Sequence, residues 1–340
     1  FSEVSSITPT FVFLQGGDNN YLQRYTLSCK TMQGRLEEYY LYPNYQMVES
    51  ESCLQFILQT FNFIFHSQSS DFPPEFQCYS QELYFTGLEN TVIGKNLSVE
   101  QTSLSQLIAE YIKSKGKTPS NAIPTPKRGS GGSGGSNNNS GSEGNAITKI
   151  PEDLISNYIH ETHGSQIDSF ELQEIQSRFL YSLAAFLIAG FVLQVGGVNA
   201  TNTYISEDGR LFFRNPIYFL GLDTYEMAGF STNTPKRISP FFLPTFAEMI
   251  GGRNSAAFRN LQSITSKALI ILRKEATFLF FSVKSFLSSQ QLSDEKIDII
   301  LNSLKDSLRL HESDQSATSF MWDIFTKSLN ADYQLKVKSP

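Results

Sequence analysis

The side chains between residues 190 and 221 are the ones best placed to do chemistry in this 340-residue chain. Asn202 and Asn215 supply amide oxygens that can contact a hard cation, but an amide lacks the negative charge that makes a carboxylate a good Mg²⁺ ligand. Gly197, in the same segment, offers no side chain at all. Neither the two amides nor the glycine supplies the negative charge that a site for a hard cation needs.

A helix, a loop and a β-hairpin would position these residues. Apolar residues from about 170 to 195 predict a long helix, and it should break at 196–197, where two glycines permit a sharp reversal. Residues 203–205 favour a strand, residues 207–209 are typical of a turn, and residues 211–213 favour a second strand. The polar groups should thus lie at one end of a short hairpin.

This segment resembles the catalytic core of the phosphatidylinositol 3-/4-kinase family, whose loop reads G-Y-x-L-G-[VL]-G-D-R-H-x-x-N. On that pattern the Asp-Arg-His positions fall on Gly197, Val198 and Asn199. The metal-binding Asn falls on Asn202, and the Asp of the next motif, H-I-D-F-G, falls on Asn215. The resemblance implies a kinase frame that has lost three of its four acid/base or metal-ligand side chains.

Two regions towards the C-terminus extend the resemblance. Residues 249–287 are similar to the family's M-G-G-x-x-S-x-x-[FY] run, its A-[FY]-L-x-[LI]-R-[KR] run and a following apolar helix. The matching residues are Gly251, Gly252, Ser255, Phe258, Leu272, Arg273 and Lys274. An amphipathic helix expected at residues 316–332 completes an order similar to the end of class III, vacuolar-type phosphatidylinositol 3-kinases and of some 4-kinases.

The N-terminal third resembles the nucleotide-binding part of the family more faintly. The lysine that grips the nucleotide in the motif F-K-x-G-D-D-L-R-Q-D falls on Gln15, and the motif's Gly-Asp falls on Gly17 and Asp18. Glutamine is neutral, so the cation that phosphoryl transfer needs on the ATP phosphates is missing at this position. We therefore expect neither ATP nor Mg²⁺ as a cofactor unless residual binding survives these substitutions.

The resemblance implies an α+β, two-lobed protein-kinase-like fold of the phosphatidylinositol 3-/4-kinase type. We expect a small, β-rich and diverged N-lobe at residues 1–97 and a larger helical C-lobe at residues 98–340. Residues 116–145 are rich in Gly, Ser and Asn and predict a flexible insertion, because they lack the apolar groups that would offset the entropy of ordering. Whether this insertion is natural or a designed linker is left open by its composition.

The uncharged run at residues 179–195 allows two interpretations. Its length is close to the lower limit for a membrane-spanning helix. A helix that is hydrophobic all round is also expected at the centre of a large domain, and Arg178 stands at its edge. The kinase-like order of elements favours the buried core helix.

Composition excludes several classes of function. The formal net charge of −6 argues against a protein that tracks nucleic-acid phosphates. Cys29, Cys53 and Cys78 are far apart and without paired spacing, which fits neither a disulfide framework nor a zinc site. We expect a cytoplasmic domain with protein partners in a larger assembly and no nucleic-acid partner.

Two surfaces could still contact lipid. Lys236 and Arg237 lie where the family's activation loop contacts the inositide headgroup, although two cations beside a proline are more often an ordinary exposed turn. Phe320, Trp322 and Phe325 lie on the terminal helix, which rests on membrane in active class III relatives. Packing against the C-lobe or a partner subunit is the alternative, and peripheral attachment to endomembranes is the expectation if the membrane interpretation holds.

We therefore predict a phosphatidylinositol-kinase-like pseudokinase domain that acts as a scaffold or regulatory module of a larger protein or complex. One alternative is an atypical active kinase that transfers phosphate from ATP to an inositol lipid. The other is a membrane or inositide docking module without catalysis.

Overall fold

The longest strands of the computed structural model lie near its N-terminus, and its C-terminal half is mostly helical, so the architecture is α+β as predicted. The structure describes residues 3–13, 21–30, 34, 36–42, 48–67, 72–79, 83–85, 92–95, 101–116, 150–164, 168–213, 216, 218–223, 241–290 and 292–331. The strands are β1 (Glu3–Phe13), β2 (Tyr21–Lys30), β3 (Leu36–Tyr42), β4 (Leu83–Phe85), β5 (Val92–Lys95), β6 (Gln101–Ser103), β7 (Thr203–Ser206), β8 (Leu211–Phe213), β9 (Tyr218–Phe219) and β10 (Leu222–Asp223). The helices are α1 (Val48–Ser67), α2 (Leu104–Gly116), α3 (Leu154–His163), α4 (Ser169–Val192), α5 (Pro244–Met249), α6 (Ala256–Lys274), α7 (Ala276–Ser289), α8 (Asp294–Leu308) and α9 (Asp314–Leu329).

The described strands pair antiparallel in three sheets. Five of them form one sheet in the order β1-β2-β3-β5-β4, while β6-β7-β8 form a second sheet and β9-β10 a two-stranded ribbon. In the large sheet, Leu27 pairs directly with Tyr39 and shares a face with Cys29, since residues two apart point to the same side of a strand. These three side chains form a small core of their own.

Helix α4 lies at the centre of the main core. Its N-cap is Asp168, whose carboxylate accepts a hydrogen bond from the backbone N–H of Glu171 at 2.7 Å, as helix N-caps commonly do. The helix is long and apolar enough to cross a membrane by length and composition, yet 78% of its most apolar window is buried inside the protein. Phe179, Leu183 and Ile188 are fully buried, which supports the core-helix interpretation.

Helix α1 lies in a part of the chain where the sequence carries no family motif. Its apolar residues recur at helical spacing, so that Ile57, Phe61 and Phe65 are fully buried. Phe56 stacks on Phe286 of α7 with the ring centroids 4.1 Å apart. Among the described residues, α1 thus shares one core with the C-terminal helices, and the domain boundary at residue 97 stays a prediction.

Arginine side chains hold the turn between α8 and α9. Arg309 ends α8 in the left-handed conformation, with φ 48° and ψ 48°, and its guanidinium contacts both carboxylate oxygens of Glu312. The Ser316 hydroxyl donates a further hydrogen bond to Glu312 Oε2 at 2.9 Å. Chiefly through the hydrogen bond from Arg309, these contacts lower the pKa of Glu312 from 4.5 to about 2.

Because of the lowered pKa of Glu312, the free energy of unfolding should decrease as the pH is lowered from 4.5 towards 2. The folded-state pKa of Glu312 lies below its unfolded value, so the ionised carboxylate stabilises the fold above that window, and protonation removes the contribution within it. In the variant Glu312→Gln this part of the acid dependence should vanish, leaving a shallower curve. Urea unfolding of parent and variant at a series of pH values measures the difference.

Glu110→Gln is the matched control, because Glu110 is exposed on α2 and has no ion pair among the described residues. Its unfolding free energy should follow that of the parent through the same pH window. If the plots of unfolding free energy against pH for Glu312→Gln and the parent ran parallel, Glu312 would not be the source of this acid dependence.

Candidate functional site

The loop that resembles the kinase catalytic loop is fixed at its base by backbone hydrogen bonds. Gly196 N–H donates to the carbonyl of Tyr218 at 2.9 Å, and Tyr218 N–H donates back to Gly196 at 3.2 Å. Leu220 N–H donates to the carbonyl of Leu193, just after α4, at 2.7 Å. The segment that follows the hairpin is therefore tied to the segment that precedes the loop.

Strand register brings the two degenerate motifs to the same end of the hairpin. Thr203, which follows Asn202, pairs with Phe213, which stands two residues before Asn215. The predicted strands at 203–205 and 211–213 are confirmed as β7 and β8. Asn215 itself lies outside the described residues.

Asn202 is engaged with the backbone of its own loop. Its amide oxygen accepts a hydrogen bond from Asn199 N–H at 2.7 Å, and its amide nitrogen donates to the carbonyl of Gly197 at 3.1 Å. The residue is only 7% exposed. The position that binds metal in the family thus holds a side chain that closes a turn here, a frequent role of asparagine in loops.

Asn199 has a similar structural role at the position of the family's histidine. Its amide nitrogen donates to the Gly197 carbonyl at 3.2 Å, and its amide oxygen accepts from both the backbone N–H and the hydroxyl of Thr201, at 2.8 and 2.7 Å. Gly197 itself has φ 72°, a conformation that glycine adopts without steric cost. Gly197, Asn199 and Asn202 therefore form one local hydrogen-bonded turn.

The acids nearest in sequence lie at the other end of the hairpin. Asp208 Oδ1 accepts a hydrogen bond from the Ser206 hydroxyl at 2.5 Å, and Asp208 Oδ2 lies 3.2 Å from Arg210 Nε. At about 3.3 Å per residue, the length of β7 separates this turn from Asn202 by about 10 Å. Asp208 is thus engaged in a turn contact away from the loop.

Apolar side chains line the inner side of the loop. Val198, at the position of the motif's arginine, faces a small cavity together with Phe213 and Phe241. Its volume is about 10 Å³, near the minimum that holds one water molecule. The described walls of this cavity offer neither a charged group nor room for a substrate.

Other predicted site residues fall outside the described chain. These are the nucleotide positions Gln15 and Asp18, the activation-loop cations Lys236 and Arg237, and most of the insertion at 116–145. Among the residues that the structure describes, no group of three or more His, Cys, Asp and Glu side chains could hold a metal ion.

The terminal helix packs its apolar stripe inward. Phe325 is fully buried against Phe191 and Phe242, so this helix as packed cannot present Phe325 to a membrane. Trp322 is half-buried and packs edge-on against Phe258 and Phe325. Phe320 is 39% exposed, which makes it the most exposed of the three predicted lipid contacts on this helix.

Two residues that position the hairpin had no predicted role there. The Ser182 hydroxyl, buried in α4, accepts a hydrogen bond from Leu211 N–H at 2.9 Å. His163 contacts the Glu207 carbonyl through Nε2 at 3.0 Å and Glu171 through Nδ1 at 3.3 Å. Ser182 lies in an otherwise apolar stretch of α4, which is a signal for a buried hydrogen bond, but its partner could not be read from the sequence.

Comparison with known proteins identifies relatives over about half of the chain. No family model matches the chain. Phosphatidylinositol 3-kinase 1 of Dictyostelium discoideum is 29% identical over 175 residues, which is 51% of this chain and 11% of that protein. Phosphatidylinositol 3-kinase VPS34 of Saccharomyces cerevisiae is 24% identical over 208 residues, which is 56% of this chain and 22% of that protein.

The relatives are much longer than the region they share with this chain. VPS34 of Arabidopsis thaliana is 24% identical over 191 residues, again 22% of its own length. The match therefore concerns one part of each relative. It confirms that about half of this chain is homologous to phosphatidylinositol 3-kinases and that its resemblance is to the phosphatidylinositol 3-/4-kinase catalytic-domain family.

Proposed function

We propose that this chain is a phosphatidylinositol-kinase-like pseudokinase domain, with a two-lobed kinase-like fold, that serves as a scaffold or regulatory module in a larger assembly. The observation that carries the proposal is the hydrogen bonding of Asn202. Its amide oxygen and nitrogen both contact the loop backbone, and the residue is buried. The family's metal-ligand position is thereby used to hold the loop in shape.

Loss of charge at the surrounding positions supports the same proposal. Phosphoryl transfer depends on positioning and on cations that neutralise the transferred phosphate. A positioned general base contributes about 10² to 10⁴ in rate, and Gly197 supplies none. Val198 and Asn199 replace the other two polar side chains of the motif, so several substitutions would have to be compensated together.

The alternative of an active lipid kinase would need a carboxylate from elsewhere. Asp208 would have to leave Ser206 and Arg210, and the hairpin would have to turn over to bring it to the loop. The remaining contacts of the hairpin oppose that movement, since Leu211 N–H is bound to Ser182 inside the core. These contacts favour a scaffold over an enzyme.

An ATP and Mg²⁺ titration tests the proposal. A nucleotide that binds only the folded protein stabilises it by about 2.7 kcal/mol at 100 times its dissociation constant. We expect no such rise in melting temperature and no ADP release in the presence of phosphatidylinositol vesicles. The measurements are differential scanning fluorimetry and a coupled ADP assay, with an active phosphatidylinositol 3-kinase as the positive control.

The variant Asn202→Ala separates a contaminating kinase from an intrinsic activity. It should lower the melting temperature because the loop loses two hydrogen bonds, while any background ADP release stays the same. ADP release that exceeds background and falls in Asn202→Ala would refute the pseudokinase proposal. A melting temperature that rises with ATP but without ADP release would leave a scaffold that binds nucleotide.

A further inference from the structure

A cavity of about 490 Å³ opens between the C-terminal ends of α4, α8 and α9, away from the loop cavity. Phe191 of α4 and Phe320 and Ile324 of α9 form its apolar floor. The Phe191 and Phe320 rings meet edge to face with their centroids 6.4 Å apart. The volume is in the range of about 300–1,000 Å³ that small-molecule sites occupy.

The polar groups at the ends of these helices are satisfied within the protein. The Ser307 hydroxyl donates to the carbonyl of Val192 at 2.6 Å, and the Gln194 amide nitrogen donates to the carbonyl of Ser303 at 3.0 Å. The carbonyl of Leu308 accepts from Arg273. Three carbonyls near this cavity, on α4 and α8, therefore have hydrogen-bond donors within the protein.

Among the described residues that line the cavity, three carry a charge. These are Arg309, Lys327 and Asp306. The Arg309 guanidinium lies 3.8 Å from the centroid of the Phe320 ring and pairs with Glu312, so it forms part of the wall. Lys327 is exposed and has no carboxylate within salt-bridge distance among the described residues. Lys327 is therefore the cation that remains available to a ligand.

Two residues that line the cavity have backbone conformations that the surrounding structure fixes. Gln194 and Arg309 both line it, and both have positive φ, 49° and 48°. Non-glycine residues seldom adopt this conformation, and it persists where the surrounding structure fixes it. Fixed walls reduce the ordering that a ligand has to impose.

We propose that this cavity binds a monomeric single-chain amphiphile, with its apolar chain on Phe191, Phe320 and Ile324 and an anionic head group paired with Lys327. Chain and head match the two chemical parts of the cavity, an aromatic floor and one available ammonium in its lining. This site is separate from the kinase-like loop and does not depend on the proposed function. The proposed ligand of the cavity between α4, α8 and α9 is thus a fatty-acid-like molecule.

Isothermal titration calorimetry with dodecanoate below its critical micelle concentration tests this site. We expect one dodecanoate per chain and much weaker binding of dodecyltrimethylammonium, whose head group has the opposite charge. The variant Lys327→Glu should weaken dodecanoate binding by about tenfold or more, the ratio that corresponds to about 1.4 kcal/mol. Lys284→Glu makes the same charge change on the exposed side of α7 and should leave the affinity as in the parent.

Circular dichroism melting of both variants verifies that each is folded, which both should be because the two lysines are exposed. Absence of any binding heat from dodecanoate would overturn the proposal. So would several dodecanoate molecules per chain, equal binding of the cationic amphiphile, or equal affinity of Lys327→Glu and the parent. If Phe320→Ala and Lys327→Glu each weaken dodecanoate binding, the apolar chain and the head group lie as proposed.

Discussion

Replacing Arg273 by alanine is expected to lower the free energy of unfolding by about 3 kcal/mol, because hydrogen bonds that involve a charged group contribute about 1.5–3 kcal/mol each. The guanidinium is 7% exposed and holds the turn between α8 and α9 from the end of α6. It donates to the carbonyls of Leu308, Arg309 and Glu312 at 2.5–2.6 Å, and its Nε donates to Asp314 at 2.9 Å. Alanine leaves these carbonyls without that donor, which chemical denaturation will measure.

Lys274→Ala is the matched control for this substitution. Lys274 is the next residue on α6, exposed and of the same charge, so its loss should change the unfolding free energy by no more than about 0.5 kcal/mol. Arg273→Lys keeps the charge but loses the planar fork of donors, and we expect an intermediate loss. If Arg273→Ala and Lys274→Ala unfold at the same denaturant concentration, Arg273 does not stabilise the turn between α8 and α9.

The sequence predicted those elements whose signals are local. The hairpin of β7 and β8 was predicted from two short runs of strand-forming residues around a turn, and the structure confirms it. Helix α4 was expected to reach residue 195 but ends at Val192, because Gln194 already adopts a left-handed conformation. Glycine pairs mark such a break only to within a few residues.

Roles that depend on distant partners could not be predicted. Arg273 was noted as a match to a family motif, but its partners lie 35 to 41 residues away in sequence. The burial of Phe325 is set by Phe191 and Phe242, which reach it from other elements. An amphipathic stripe gives the direction of an apolar face and leaves open whether protein or membrane covers it.

The degenerate loop shows the same limit at the candidate site. Substitution of the catalytic side chains was read directly from the sequence, because each motif position could be compared in turn. The use of Asn199 and Asn202 to bind the Gly197 carbonyl required the structure. A turn closed in this way is held in shape by the protein's own side chains.

Gly209→Ala should destabilise the fold by about 2–5 kcal/mol, the sum of the penalty for a left-handed alanine and of overpacking. Gly209 has φ 88° in the turn between β7 and β8. A Cβ there would lie 2.7 Å from Ile175 Cγ2 and 2.8 Å from the Ile175 carbonyl oxygen. Because Ile175 belongs to the buried face of α4, neither atom can move away without shifting the core helix.

Gly190→Ala is the opposite case, a substitution inside α4 itself. Gly190 lies in α4, and apart from its chain neighbours and the nearby backbone of its own helix no atom is within 4 Å of the position its Cβ would take. Alanine there should raise the unfolding free energy by about 0.5–1 kcal/mol, since glycine weakens a helix interior by that amount. The melting temperature of the parent should therefore lie between those of Gly209→Ala and Gly190→Ala. A Gly209→Ala protein that melts with the parent would show that the hairpin turn does not press on α4, and the anchoring of the loop to this helix would then need another explanation.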